Sequence, residues 1–490
     1  MSPARGRVRS RTAAGRGERP PAPAGVAGWD ALLITVAIAT LAFVWRLQDL
    51  FPMFRPFELP TVSVLAALGL ALFGPKHGRR WAPYARHPIA QLSGVILILM
   101  FLSVPGSLYQ GLSFRFIFQD HLKTLLFAAL LCYSVRSWKD VERLAMVQLI
   151  GAALYAYVIA TRFEVGSGGR LGRLLYYDAN DIGLLLVCCL PFGIYFLRPG
   201  QGALRRVIAG AVLAVSLFTI VKSGSRGAFL GIIAVGVYLA LAYRAVPAAR
   251  RLAAVGVLSA GFLVAAGDQY WTLMESLLTP TEDYNWDSES GRRKVWTRGV
   301  GYMLDNPLVG VGVAAFPVAE GTVSARASLQ EYGFGFKWSA AHNSFVQIGA
   351  EIGVLGLLAF IALLWVAMRL AYRMGGRGGP RGPPAGARDT AALGQALTGS
   401  LIGFCVVGFF LSHAYSAFLY SLLAMVLGLA VATTSPGRLR SRPRRAGPNG
   451  IAPTPVASPA NPPRPARRAR RARHGALAGP APADGSAAGS

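Results

Sequence analysis

The sequence predicts an all-α, polytopic integral membrane protein with about 12 transmembrane helices, and three observations support that fold class. Of its 490 residues, 53% are hydrophobic and only 15% charged, too apolar a balance for an ordinary soluble domain. Apolar runs of roughly 16 to 25 residues recur along the chain, and most can cross a hydrocarbon core about 30 Å thick. These runs do not alternate with the period of two that the strands of a membrane β-barrel would show.

Twelve spans can be placed, at 29–47, 59–74, 88–108, 116–135, 141–161, 179–197, 205–222, 226–243, 249–266, 343–371, 391–411 and 415–433. The weakest is 116–135, because Asp120, His121 and Lys123 sit near its outer end. The first run lacks a small-residue cleavage site, so it reads as a retained span rather than a removable signal. Five connections are short and basic: Lys76 to Arg86, Arg136 to Arg143, Arg198 to Arg206, Arg244 to Arg251 and Arg369 to Arg388. They alternate with the remaining connections and share a side with both termini, which the positive-inside rule places in the cytoplasm. The other connections then face outward, and the largest, 267–342, lies between the ninth and tenth spans. At roughly 75 residues it is far longer than a usual connection, and such loops tend to be functional or disordered. Its aromatic, Gly and Pro content argues for order.

Three domains follow: a basic tail (1–28), a transmembrane domain (29–435) and an Arg/Pro/Ala-rich tail (436–490). The net charge of +28 is a weak sign of nucleic-acid binding, because 17 of the 50 basic residues lie in the two tails. Those tails lack a hydrophobic pattern and read as disordered; arginine beside a span fixes orientation and attracts anionic membrane lipids. The four cysteines, Cys132, Cys188, Cys189 and Cys405, sit inside apolar runs with no zinc spacing and read as packing residues. The stretch Gly375 to Gly386 lacks the Gly-Lys-Ser/Thr ending of a phosphate loop, so ATP-driven transport by this chain is not expected.

Candidate chemistry collects on the outward side. The turn Lys222-Ser223-Gly224-Ser225-Arg226-Gly227 bends tightly and can present Ser, Lys and Arg donors at the membrane boundary. Arg226 could equally be a snorkelling anchor, but an outward Arg runs against the positive-inside bias. Arg170 and Arg173 precede Tyr176-Tyr177-Asp178-Ala179-Asn180-Asp181, where Asp178 or Asn180 can also cap a helix. Arg292 and Arg293 lie in the long loop. Together these arginines suit a strongly anionic ligand at the outer leaflet, such as a lipid-linked pyrophosphate, since Arg contacts phosphate oxygens bidentately. His342 ends the loop and can act as a base near neutral pH; His413, at the next outward turn, is a rival. A lone histidine is more often structural. Glu282, Asp283, Asp287 and Glu289 read as solvated loop charges rather than a cation site.

Four motifs occur in order: Ser223-Gly224-Ser225-Arg226-Gly227-Ala228; Gly291-Arg292 with Trp296; Asn306-Pro307-Leu308-Val309-Gly310-Val311-Gly312; and His342-Asn343-Ser344 through Glu351-Ile352-Gly353-Val354-Leu355-Gly356. Each is weak alone, but the ordered set resembles the O-antigen ligase and polymerase-related family of bacterial membrane proteins over about 220 to 360. The resemblance implies twelve helices in the bacterial cytoplasmic (inner) membrane. It implies metal-independent transfer of a glycan from an undecaprenyl-pyrophosphate-linked donor to an acceptor hydroxyl on the outer side, without a cofactor. It also implies His342 as the base, with Ser225 and Asn343 supporting the site. Arg226, Arg292 and one of Arg170 and Arg173 would hold the pyrophosphate. The acceptor could be lipid A core, another glycan or a protein side chain. A pyrophosphate leaving group needs a base for the acceptor and positive charge for the departing oxygens, and arginines with one histidine supply both. The alternatives are a polymerase of the same chemistry and, from a different class, a transporter or flippase of lipid-linked glycans.

Overall fold

The computed structural model describes residues 28–76, 79, 81–164, 171, 177–279, 284–288, 291–324, 327, 339–376 and 385–434. Residues 1–27 of the first tail and the whole of the second, the segments expected to be disordered, lie outside the described residues. The described residues form helices and no strand. In chain order the main ones are α1 (Ala31–Phe43), α2 (Leu59–Phe73), α3 (Pro88–Ser103), α4 (Gln110–Ser134), α5 (Trp138–Arg162), α6 (Ala179–Phe196), α7 (Ala203–Ser223), α8 (Arg226–Ala242) and α9 (Ala248–Ala265). The loop contributes α10 (Asp268–Glu275), α11 (Arg292–Asp305) and α12 (Phe316–Thr322), and the chain continues through α13 (Ser344–Gly375), α14 (Ala385–Gly408) and α15 (Ala417–Thr434).

Each of the twelve expected runs has a helix at its position. Eight are long and apolar enough to cross a membrane, while α1, α2, α3 and α8 are apolar but shorter. The doubtful fourth run is one continuous helix, whose polar patch is absorbed by a π turn at Ile117–His121. Such a turn inserts a residue, re-aims the side chains around it and recurs at functional sites.

In hydrocarbon an apolar side chain gains little by leaving lipid, so close packing and polar ties must hold the helices together. α6 is the buried centre: every residue from Ile182 to Phe196 is buried, against α5, α7, α8 and α14. Small residues let α8 approach it, since a side chain at Gly183 would meet Ala228 at 2.7 Å. α9 is the opposite case, burying only Phe262.

The short basic connections meet at one end of the bundle. Arg79 donates to Asp30 at 2.5 Å, Arg136 pairs with Asp30 at 3.1 Å and with the fully buried Asp140, and Arg198 pairs with Asp389. Burial alone would raise the Asp30 carboxyl, but the Leu33 amide, Arg79 and Arg136 outweigh it and hold the group below the usual aspartate range.

At the other end the loop folds as a cap with a small core of its own, including Val295, Tyr302, Phe316 and Ala319. Arg298 of α11 makes a bidentate pair with the buried Glu320 of α12, and the Tyr302 hydroxyl donates to the same carboxylate at 2.8 Å. The cap is fastened to the membrane helices through a break in α13. Ile352 (φ −131°, ψ 19°) and Gly353 (φ +78°) leave helical geometry and free backbone groups on either side. The segment 306–312 takes them up: Val311 and Gly312 donate to the Ala350 and Glu351 carbonyls at 2.8 and 3.0 Å, and Pro307 accepts from Val354 at 2.8 Å. Both glycines at this joint sit at positive φ against backbone, so a side chain on Gly310 or Gly353 would collide with the partner segment. The loop motif and the helix motif are two halves of one joint.

Candidate active site

Two turns at the loop end build the site, and each holds the other. Residues 342–344 lead into α13, and residues 409–416 connect α14 to α15. The His342 amide donates to Ser412 Oγ at 2.9 Å, Ser344 Oγ donates to the Leu411 carbonyl at 2.7 Å, and the His413 amide donates back to Ser344 Oγ at 3.0 Å. Asn343 caps α13, its Oδ1 accepting from the Phe345 and Val346 amides. His342 itself has φ +46°, in the left-handed region that only a few per cent of non-glycine residues enter.

The imidazole of His342 lines a cavity of about 590 Å3 with Asp181, Gln347, Ser412 and His413. Other lining residues come from the end of α1, the turn after it and α4, and include Phe43, Arg46, Gln119, Asp120 and Lys123. His413 Nε2 lies 2.8 Å from Asp181 Oδ1, both side chains largely out of solvent. The same carboxylate interacts electrostatically with His342. Asp181 reaches this point because α6 opens with a capping box: Asp178 accepts from the Asn180 and Asp181 amides, and Asp181 accepts from the Asp178 amide. The cap that the sequence suggested at Asp178 is therefore present, and it aims a second carboxylate at a histidine.

Of the arginines singled out in the sequence, Arg226 and Arg292 are not among the residues lining this cavity. Gly224 (φ +61°) ends α7, Ser225 caps α8 by accepting from the Ala228 amide, and Arg226 becomes the first residue of α8. Its Nη1 donates to Ser276 Oγ, at the end of α10, at 2.7 Å. Its neighbour Gly227 packs on Phe410, so this turn abuts the 409–416 connection. Lys222 is spent structurally: it donates to the Phe163 carbonyl at 2.8 Å and closes the end of α5. Arg292 opens α11, four residues before Trp296 and hence on the same helix face. Trp296 Nε1 donates to the Ala341 carbonyl at 3.0 Å, immediately before His342, and its ring packs on Phe409 and Phe410. Arg293 instead pairs with Asp287 at 2.9 Å, so that carboxylate is engaged within the loop. Arg170 and Arg173 lie outside the described residues.

The connection 409–416 is thus the hub on which the Arg226 turn, the Arg292 helix and the His342 turn converge. The Asp181–His413 pair had one legible half, since both residues stand in outward turns. Their partnership across 232 positions had no local signal.

A polytopic helical membrane protein, with a folded loop at one end and a cavity there lined by Asp181, His342 and His413, has the makings of a transferase that works at a bilayer surface. Residues 211–361 match the family model described as O-Antigen ligase, and this O-antigen-ligase-related stretch supports a role in membrane glycan transfer during O-antigen or polysaccharide assembly. The matched stretch contains Ser225, Arg226, Arg292, His342 and Asn343, whereas Asp181 and His413 fall outside it. No curated protein matches the chain.

Proposed function

We propose that this protein transfers a glycan from an undecaprenyl-pyrophosphate-linked donor to an acceptor hydroxyl on the outer side of the cytoplasmic membrane. The observation that carries the proposal is the convergence of His342, the Arg226 turn and the Arg292 helix on one connection at the loop end. The positive-inside bias assigns the opposite, basic end and both termini to the cytoplasm.

In this reading the acceptor sugar enters the 590 Å3 cavity, where carboxylates, amides and the Tyr177 and Tyr415 rings suit hydroxyl-rich rings. His342 takes the proton as the acceptor oxygen attacks the anomeric carbon. The carbon–oxygen bond to the diphosphate breaks, and undecaprenyl pyrophosphate leaves with the electron pair. Arg226 and Arg292, with Arg170 or Arg173, stabilise the departing oxygens by charge-assisted hydrogen bonds. Ser225 and Asn343 set the two turns that carry Arg226 and His342.

The test compares surface glycoconjugates of a deletion strain, its parent, and strains carrying His342→Ala or Arg226→Ala. Loss of transfer with normal membrane insertion is the expected result, and normal transfer by both variants would remove the mechanism. Long glycan left on the lipid carrier in the deletion strain identifies a ligase, whereas single repeat units identify a polymerase.

A further inference from the structure

A second cavity lies at the basic end, with no part in the reaction above. It holds about 200 Å3 between the end of α6, the start of α7, the segment after α8 and the first turns of α9. Arg206, Arg250, Arg251 and Tyr243 line it. Its polar atoms lack protein partners: Nε and Nη1 of Arg251 and the hydroxyl of Tyr243 are buried without a hydrogen bond, and Tyr243 is 0% exposed. The neighbouring arginines are satisfied, Arg198 by Asp389 and Arg205 by Glu142. Among the described residues no carboxylate plays that part for Arg206, Arg250 or Arg251.

Two of these cations stand at the start of α9, where the helix dipole is positive and disfavours them. Pro247 gives that helix no side-chain cap, and its first turn contains no acidic residue. Buried, unpaired donors and clustered positive charge at one point call for an anion. The shape of the site says which kind. The cavity runs into an apolar groove of about 310 Å3, sharing Ile194, Leu239, Val255 and Leu258 with it. α9 forms one wall of that groove and, with only Phe262 buried, belongs to the lipid boundary. A free phosphate would use the arginine end alone, whereas a phospholipid would fill both parts.

We propose that this is a binding site for an anionic phospholipid of the leaflet at the basic end. Its phosphate is held by Arg206, Arg250 and Arg251 with a hydrogen bond from Tyr243, and one acyl chain lies in the groove between α8 and α9. Basic pockets between spans at the cytoplasmic side select such headgroups electrostatically.

Native mass spectrometry of the purified full-length protein tests this, with phosphatidylglycerol, phosphatidylcholine and inorganic phosphate in separate arms. Phosphatidylglycerol should bind, phosphatidylcholine should not replace it, and millimolar inorganic phosphate should not displace it. Each arginine is expected to contribute about fivefold, so replacing all three by Gln should lower occupancy by roughly a hundredfold. Gly236→Leu adds a side chain to the groove at a point open for 4 Å, and should lower occupancy with every arginine intact. Arg205→Gln removes a neighbouring charge already paired with Glu142 and should change nothing. Wild-type occupancy in the triple variant, an equal loss in Arg205→Gln, or displacement by phosphate would overturn the site. An unaffected Gly236→Leu would overturn the placement of the chain. If the triple variant does not fold, Tyr243→Phe and Gly236→Leu decide the matter, and unchanged binding in both refutes it.

Discussion

His342 occupies a backbone region that glycine enters freely and other residues at some cost, and its amide is tied to Ser412. Holding a non-glycine residue there costs about 1 kcal/mol, a cost that tends to persist where a side chain is needed in one place. His342→Gly should therefore raise thermal stability slightly while lowering transfer by roughly 10²- to 10⁴-fold, the range general-base removal gives. Denaturation midpoints and initial rates on one preparation check both halves. The Asp181–His413 pair lines the same cavity, and Asp181→Asn keeps the shape and much of the cap while removing the charge. A loss of transfer of about tenfold or more is expected, with insertion and melting little changed. Single residues were partly legible in the sequence. His342 stands where a polar loop meets an apolar run, and Arg226 opposes the charge bias, so each is visible locally. The donors of Lys222 looked available for a ligand and instead satisfy carbonyls at the end of α5, because a helix end left open in an apolar setting must find a partner.

At the scale of elements, the joint between the 306–312 segment and the break in α13 decides whether the cap stays on the bundle. Gly353→Ala would place a methyl group against Pro307 and Leu308 at a φ that alanine resists. It should cost about 1–3 kcal/mol, read as a fall in denaturation midpoint. Arg298→Ala removes one partner of a pair in which Glu320 is buried, and should cost about 3–5 kcal/mol. Limited proteolysis would show whether that loss falls on the cap before the membrane helices. Both motifs were visible as sequence patterns and neither gave its purpose. A glycine within an apolar run can mean close packing, a bend or chance, and only the facing segment tells which. The helix α4 shows the same limit: Asp120 and Lys123 weakened the fourth span as a sequence feature, while in three dimensions they face the cavity past a π turn.

Across the whole molecule the contrast is between a core helix packed on all sides and a peripheral helix that is barely packed. Both α6 and α9 read alike as apolar runs of span length, because hydropathy reports transfer into lipid and is blind to whether protein or lipid surrounds the helix. The basic end adds electrostatic ties between elements distant in sequence. The Asp30 carboxyl, held low by the Leu33 amide, Arg79 and Arg136, contributes its stability fully above the ordinary aspartate pKa and loses it as pH falls through its lowered value. Asp30→Asn should thus be less stable than the parent by about 1 kcal/mol at pH 6, the gap closing as pH falls below 4. Unfolding followed at several pH values checks the sign.

The repaired break in α13 also bears on biosynthesis. The ribosome makes the 306–312 segment about forty residues ahead of the helix it mends. When the broken stretch of α13 leaves the ribosome, the groups that will satisfy its exposed carbonyls have already been made. Seating of α13 is therefore coupled to an earlier-made piece of the same chain, and a delay in folding that piece would leave the helix half-seated.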